Sequence, residues 1–274
     1  MINGLSIDLE YWWSIELLKN CIPKKKDDLI TESVDPLLKL LDAYDVSATF
    51  FVLGMVAEKY PELIYNIHTR GHEIGCHGYS HKTLVDLGEM GFEEDLKRAM
   101  MYLGKYHPIG YRAPSFSLNN DTLWALEILR DQGFLYDSSV FPIKTSLYGV
   151  PEAPVHIYRP CKTNIALHDP EGPIIEFPLT VLNMGKNIPI AGGFYIRALP
   201  EMFLKWGIRS VNKEKRPAII YVHPWETYQE TPRVRMLPPR YIVTYYGIAS
   251  ALKKLEGILK EFNFKPMREI LHDL

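Results

Sequence analysis

The chain has 274 residues, of which 47% are hydrophobic and 23% charged, and its formal net charge is -2. Such a length and balance suit a soluble globular protein with a sizeable core. The net charge gives no case for binding nucleic acid or an anionic membrane, and the longest apolar run, Ala48 to Ala57, is about half a membrane span, so no transmembrane segment is expected.

Met1 leads straight into a strand-like run, Leu5–Tyr11, with no basic leader or cleavage site, so a cytoplasmic protein is expected. Lys24-Lys25-Lys26 is answered at once by Asp27-Asp28 and reads as a solvated loop. A helix is predicted next, with Asp35 as N-cap, Pro36 as first helical residue and Leu37, Leu38 and Leu41 as its apolar stripe. Strands follow at Ala48–Leu53 and Glu73–Cys76, separated by a helix over Pro61–Arg70 that Gly71 terminates. Phe92–Tyr106 reads as helix and Ile109–Arg112 as strand. Asn119 or Asn120 then caps a helix carrying Leu123, Leu126 and Leu129. Strands at Leu135–Asp137, Ile174–Pro178 and Ala218–His223 and helices over Pro200–Val211 and Ile242–Phe262 complete the chain. Phe141 to Pro173 is proline-rich, lacks helical period and reads as a long loop. Gly192-Gly193 lacks the spacing of a phosphate-binding loop. This alternation predicts an α/β fold with a mostly parallel sheet, and no break in composition divides residues 1–274 into more than one domain.

Cys21, Cys76 and Cys161 are odd in number and far apart, which suits neither a disulfide framework nor a CxxC metal site. Cys76 reads as a buried thiol in a reducing compartment. The informative polar residues stand at strand ends, where parallel α/β folds place their sites. His77 and His81 lie four apart after the third strand and would face one point if the segment turned helically, a common half-site for zinc. Asp8 and Glu10 are two apart and share a face of the first strand. Side by side and buried, they need a cation or hydrogen bonds; otherwise Glu10 lies in water and Asp8 pairs with Arg112. Arg112, Asp137 and His223 close three further strands.

Assembled in order, the segments Ser6–Trp12, His72–His81, Tyr111–Phe116, Gly133–Ser139, Glu176–Leu179, Ala191–Tyr195 and His223–Glu226, with the tail Phe264–Glu269, resemble the polysaccharide deacetylase (NodB-homology, carbohydrate esterase family 4-like) family, more narrowly its exosortase- and exopolysaccharide-associated branch. The resemblance implies a distorted (β/α) barrel of about seven strands and a divalent metal, usually zinc. It implies His77 and His81 as metal ligands, Asp8 as catalytic base, Arg112 as the residue that orients it, His223 as catalytic acid and Asp137 as the carboxylate that tunes that histidine. The family's second aspartate is replaced here by Leu9, leaving Glu10 as the candidate third ligand, with Asp8 as the alternative. Tyr11, Trp12, Trp13, Tyr195 and Trp225 are candidate faces for sugar rings, or core residues. The implied activity is hydrolysis of N-acetyl groups on an amino-sugar glycan or its precursor. Two rivals are an allantoinase-like hydrolase of small cyclic amides and a glycan-binding protein without catalysis.

Overall fold

The computed structural model describes residues 1–273 apart from positions 20, 25 and 146, so Lys25 of the tri-lysine run lies outside the described residues. Its central strand, β1 (Ile2–Leu9), buries Leu5, Ile7 and Leu9 on one face and Ser6 and Asp8 on the other. A strand covered on both faces is what a parallel sheet under helices requires. β2 (Thr49–Val52), β3 (Glu73–Cys76), β4 (Gly110–Tyr111) and β5 (Tyr136–Asp137) join it in turn. β6 (Pro160–Cys161) and β7 (Asn164–His168) make an antiparallel hairpin outside this sheet, before β8 (Ile175–Glu176) returns to it. β9 (Val181–Asn183) and β10 (Asn187–Pro189) form a second hairpin, followed by β11 (Ile219–Val222) and β12 (Asn263–Lys265).

The main sheet runs β11-β1-β2-β3-β4-β5-β8, with β12 also paired to β1, and every pairing in it is parallel. The seven strands read from the sequence are these seven. The sheet curls into a mixed α/β half-barrel, and its two ends are tied by Thr180. The Thr180 N–H donates to the Ile219 carbonyl at 3.1 Å, and the Ile219 N–H to Thr180 Oγ1 at 2.5 Å.

Helices α1 (Ile30–Ala43), α2 (Gly54–Lys59), α3 (Pro61–Thr69), α4 (Leu84–Leu103) and α5 (Trp124–Asp131) cover the first half of the sheet. α6 (Gly193–Ala198), α7 (Glu201–Lys213), the short α8 (Pro224–Thr227), α9 (Pro238–Tyr245), α10 (Ile248–Leu259) and α11 (Met267–His272) follow. Three helix predictions need correction, the first being Phe92–Tyr106, which belongs to an α4 that starts at Leu84 and bends at Gly88 (φ +64°). α1 starts six residues before Pro36, because Ile30, Val34, Leu37, Leu38 and Leu41 form one buried stripe across the proline. Burying that stripe outweighs the backbone hydrogen bond that Pro36 cannot make. The helix expected over Ile242–Phe262 is broken at Gly247, whose φ of +77° ends α9 and starts α10. The predicted Phe141–Pro173 loop also contains the β6–β7 hairpin.

Beside the main core, Trp12, Leu18, Trp225, Tyr245 and Ile248 form a second buried cluster. It joins the segment after β1 to the segment around α9, and these two segments border the functional cleft.

Candidate active site

Parallel pairing sets the carboxyl ends of the strands in one layer. Leu9 lies opposite Val52, Val52 opposite Cys76, Cys76 opposite Tyr111 and Tyr111 opposite Asp137. The next residues therefore emerge together: the His77 N–H donates to the Val52 carbonyl, and the Arg112 N–H to the Cys76 carbonyl, each at 3.0 Å. His77, Arg112 and, from β1 and β11, Glu10 and His223 thus reach one end of the half-barrel.

Glu10, His77 and His81 bring one carboxylate oxygen and two ring nitrogens within 4.8 Å of one another. His77 Nδ1 lies 2.7 Å from the Arg112 carbonyl. A carbonyl only accepts, so Nδ1 carries the proton and Nε2 is left as a lone-pair donor, the arrangement usual for metal-binding histidines. That Nε2 is 3.7 Å from Glu10 Oε2, and His81 Nε2 also contacts this oxygen. The histidines do not converge through a helical turn as expected. The segment is a loop in which Gly78 (φ +71°) and His81 (φ +58°) are left-handed, and the Asp95 carboxylate accepts from the Tyr79 and Ser80 N–H groups. Holding a histidine at positive φ costs energy that the surrounding contacts must supply. Burial works against charge on Glu10, but the neighbouring imidazoles prevail and hold its carboxyl well below the usual range. Two buried imidazoles and one charged carboxylate suit a divalent cation of the zinc type.

Asp8 and Arg112 form a second group. Arg112 is fully buried and donates through one terminal nitrogen to Asp8 Oδ1 at 2.7 Å and Ser6 Oγ at 2.8 Å. Its remaining N–H groups go to the Ser138 carbonyl and hydroxyl, both at 2.8 Å. Asp8 is thereby held with one oxygen occupied, and Oδ2 lies 3.9 Å from His223 Nε2.

His223 corrects one expectation. Asp137 does not reach it; its oxygens accept from the Ser139 hydroxyl (2.7 Å) and N–H (3.0 Å). Asp137 sits on β5, well around the sheet from β11, and turns inward beside Glu176. Burial raises both carboxyls, and the Asp137 charge raises Glu176 further. The carboxylate on His223 is Glu226, with Oε2 at 2.7 Å from Nδ1. Nδ1 therefore carries a proton, and Nε2 points into the cleft, 3.5 Å from Glu10 Oε1. Burial alone would lower the imidazole, but Glu226, Glu10 and Asp8 together push it up to about 9.

Glu226 is itself braced. Arg197 Nε donates to Oε1 at 3.0 Å, and both residues are buried. Glu226 Oε2 also accepts from the His223 N–H at 3.2 Å, so His223 is N-cap and Glu226 the third residue of α8 in a capping box, with Pro224 between them at the first helical position. That His-Pro-x-Glu spacing is the sequence signal that points to Glu226; none marks Arg197. Gly192-Gly193 is explained here as well. A Cβ on Gly193 would overlap the Glu226 carboxylate, so this position makes room for the acid's partner. Gly193→Ala is expected to lose about 1–3 kcal/mol in urea unfolding through overpacking, and to lower turnover by displacing Glu226.

These groups share a cleft of about 150 Å³ lined by Asp8, Glu10, His77, His81, His223 and Glu226, with Ile15, Leu17, Phe116, Leu147, Tyr148, Phe194, Trp225 and Val243 among its apolar walls. Of the five proposed aromatic faces, Trp225 lies on the cleft, stacked on His223 with ring centres 5.4 Å apart. Tyr11 and Trp12 are buried, with Trp12 Nε1 donating to the Asp27 carbonyl, and Trp13 stacks on Tyr11. Tyr195 is half-buried against Phe141. Phe116, Tyr148 and Phe194 are cleft aromatics that the sequence reading did not single out. Cys76 is buried, its thiol pushed up to about 12 by burial.

The same architecture occurs in solved structures. The probable polysaccharide deacetylase of Pseudomonas aeruginosa PAO1 aligns with a TM-score of 0.60 at 17% identity, over 97% of this chain and 88% of that one. Puue allantoinase aligns with a TM-score of 0.60 at 17% identity, over 97% and 87%. In sequence, the chain is 36% identical over 108 residues to the peptidoglycan deacetylase of Helicobacter pylori, covering 38% of this chain and 36% of that protein. Residues 25–134 match the family model described as polysaccharide deacetylase. Residues 138–272 match a domain of unknown function (DUF3473). The chain spans about a third of the length of the curated relatives it matches. Asp8 and Glu10 precede the first match and His223 and Glu226 fall within the second, so the site draws on both halves.

Proposed function

We propose that the protein is a divalent-metal-dependent hydrolase, using zinc, that removes N-acetyl groups from an amino-sugar glycan or glycan precursor of the kind made in exopolysaccharide synthesis. The observation that carries this reading is the presence of two braced proton-transfer groups, Asp8 on Arg112 and His223 on Glu226, side by side in one cleft that also holds two imidazoles and a carboxylate. Glu10, His77 and His81 would hold the cation, which when bound lowers the pKa of water and polarises a carbonyl.

The chain's own residues supply the proton transfers. Asp8 Oδ2 accepts a proton from the water that attacks the acetamide carbonyl, while Arg112 keeps the carboxylate aimed. An amine leaves poorly as an anion, so His223 Nε2 donates a proton to the nitrogen as the C–N bond breaks. Glu226 on Nδ1 favours the imidazolium that makes this donation. Water and acetamide become acetate and a free amine. A binding protein needs no such acid–base pair, which weighs against loss of catalysis.

The full chain loaded with zinc is expected to release acetate and free amine in equal amounts from N-acetylglucosamine oligomers, followed by acetate assay and amine labelling. Glycan binding without acetate, or ring opening of allantoin instead, would overturn the reading.

A further inference from the structure

The net charge of -2 gives no reason to expect a membrane contact, but it hides an uneven distribution. From Thr231 to Leu255 the sequence holds no Asp or Glu, while Arg233, Arg235, Arg240, Lys253 and Lys254 all lie there. Over the same stretch, α9 and the segment leading into it expose large apolar side chains: Leu237 is 72% exposed, Ile242 55% and Tyr246 56%, with Tyr241 beside them. Exposed apolar residues scattered singly are ordinary, whereas a cluster beside Arg235 and Arg240, which form no ion pair among the described residues, marks a contact surface.

This surface is fixed to the cleft. Thr244 and Tyr245 are buried, and Tyr245 belongs to the cluster with Trp12 and Trp225. Arg197, which braces Glu226, also donates to the Tyr246 carbonyl at 2.5 Å and the Val243 carbonyl at 3.0 Å. Val243 and Thr244 line the cleft. Whatever covers α9 therefore sits at the cleft mouth.

We propose that α9 and its lead-in segment dock the mouth of the cleft onto an anionic phospholipid bilayer. Leu237, Ile242 and the tyrosines would enter the interface, and Arg235 and Arg240 would meet lipid phosphates. Tyrosines and aliphatic side chains flanked by arginines, with no carboxylate among them, have the composition of an interfacial segment. A second copy of the chain fits less well: pairing this face with itself would set arginine against arginine. The inference goes beyond the deacetylase reading and needs no turnover to be tested.

The test is flotation of the full chain with phosphatidylcholine vesicles, with and without phosphatidylglycerol. Binding is expected only to the anionic vesicles and is expected to fall with added salt. Leu237→Asp with Ile242→Asp, and separately Arg235→Glu with Arg240→Glu, should each reduce the bound fraction at least about tenfold, with the circular dichroism spectrum and acetate release from soluble oligomers unchanged. No flotation on anionic vesicles at low salt would overturn the proposal, as would flotation untouched by both variant pairs. Sedimentation showing that the variants instead dissolve a dimer would overturn it too. An inactive protein that still floats would separate failure of the deacetylase reading from failure of this one.

Discussion

Glu226→Gln is expected to lower turnover on an N-acetyl amide by about 10–100-fold with little change in KM, and His223→Ala by about 10²–10⁴-fold, the range general acid catalysis contributes. The argument rests on one hydrogen bond and its brace. Glu226 Oε2 holds His223 Nδ1 at 2.7 Å, while Arg197 fixes the other oxygen. Glutamine keeps the size of the side chain but loses the charge that favours imidazolium. Truncation to alanine is the poorer test, because it leaves Arg197 buried without its carboxylate, and breaking a buried pair costs about 3–5 kcal/mol. An aryl acetate is the discriminating substrate. Its leaving group departs without a proton, so an acid's partner matters little there, and Glu226→Gln should hydrolyse it at close to the parental rate once zinc is bound. A purely structural role for Glu226 would depress both substrates alike, and that outcome would remove it from the proton-transfer machinery.

That Glu226 and not Asp137 holds His223 shows what a sequence can and cannot convey. The strands were legible because Thr49–Val52 and Ile219–Val222 are apolar on both faces and Leu5–Leu9 alternates apolar Leu5, Ile7 and Leu9 with polar Ser6 and Asp8, and the residues that follow strands in a parallel sheet must gather at one end. That put Glu10, His77, Arg112 and His223 together. Which way a side chain turns at a strand end is a separate matter. Asp137 lies opposite Tyr111, one residue short of the level of Arg112, and its carboxylate closes a turn with Ser139; nothing in the pattern of residues 134–139 reveals that register. Glu226 was legible only as a capping-box glutamate, a local signal that does not say it also faces an imidazole. Arg197 comes from α6, whose six residues from Gly193 are too few to show a helical period. β12 escaped notice because a three-residue strand with one buried side chain, Phe264, has no period to detect. The corrected elements, α1 across Pro36 and the break at Gly247, are places where tertiary contacts overrule local preference.

The largest effect on the metal is expected from Glu10→Gln, which should weaken zinc binding at least about 100-fold in competition with a chromophoric chelator. Residues that merely support a metal ligand are worth about 10–100-fold in affinity, and a ligand itself is worth more. Asp8→Asn should instead retain zinc and lose about 10²–10⁴-fold in turnover. The two carboxylates share one face of β1 and its continuation, but their surroundings separate their roles. Glu10 Oε2 is a carboxylate oxygen that faces both imidazoles, 3.7 Å from His77 Nε2 and in contact with His81 Nε2. Asp8 is engaged by Arg112 and Ser6, deeper in the half-barrel, and its free oxygen looks toward His223. A cation held against Asp8 would have to compete with a guanidinium 2.7 Å away, whereas at Glu10 it would meet two imidazole nitrogens and no fixed cation. Leu9, which stands where the family's second aspartate is expected, has its side chain fully buried in the core, so that position is closed to any ligand role. If Asp8→Asn empties the site while Glu10→Gln leaves it filled, the assignments exchange, and Glu10 becomes the base beside His223.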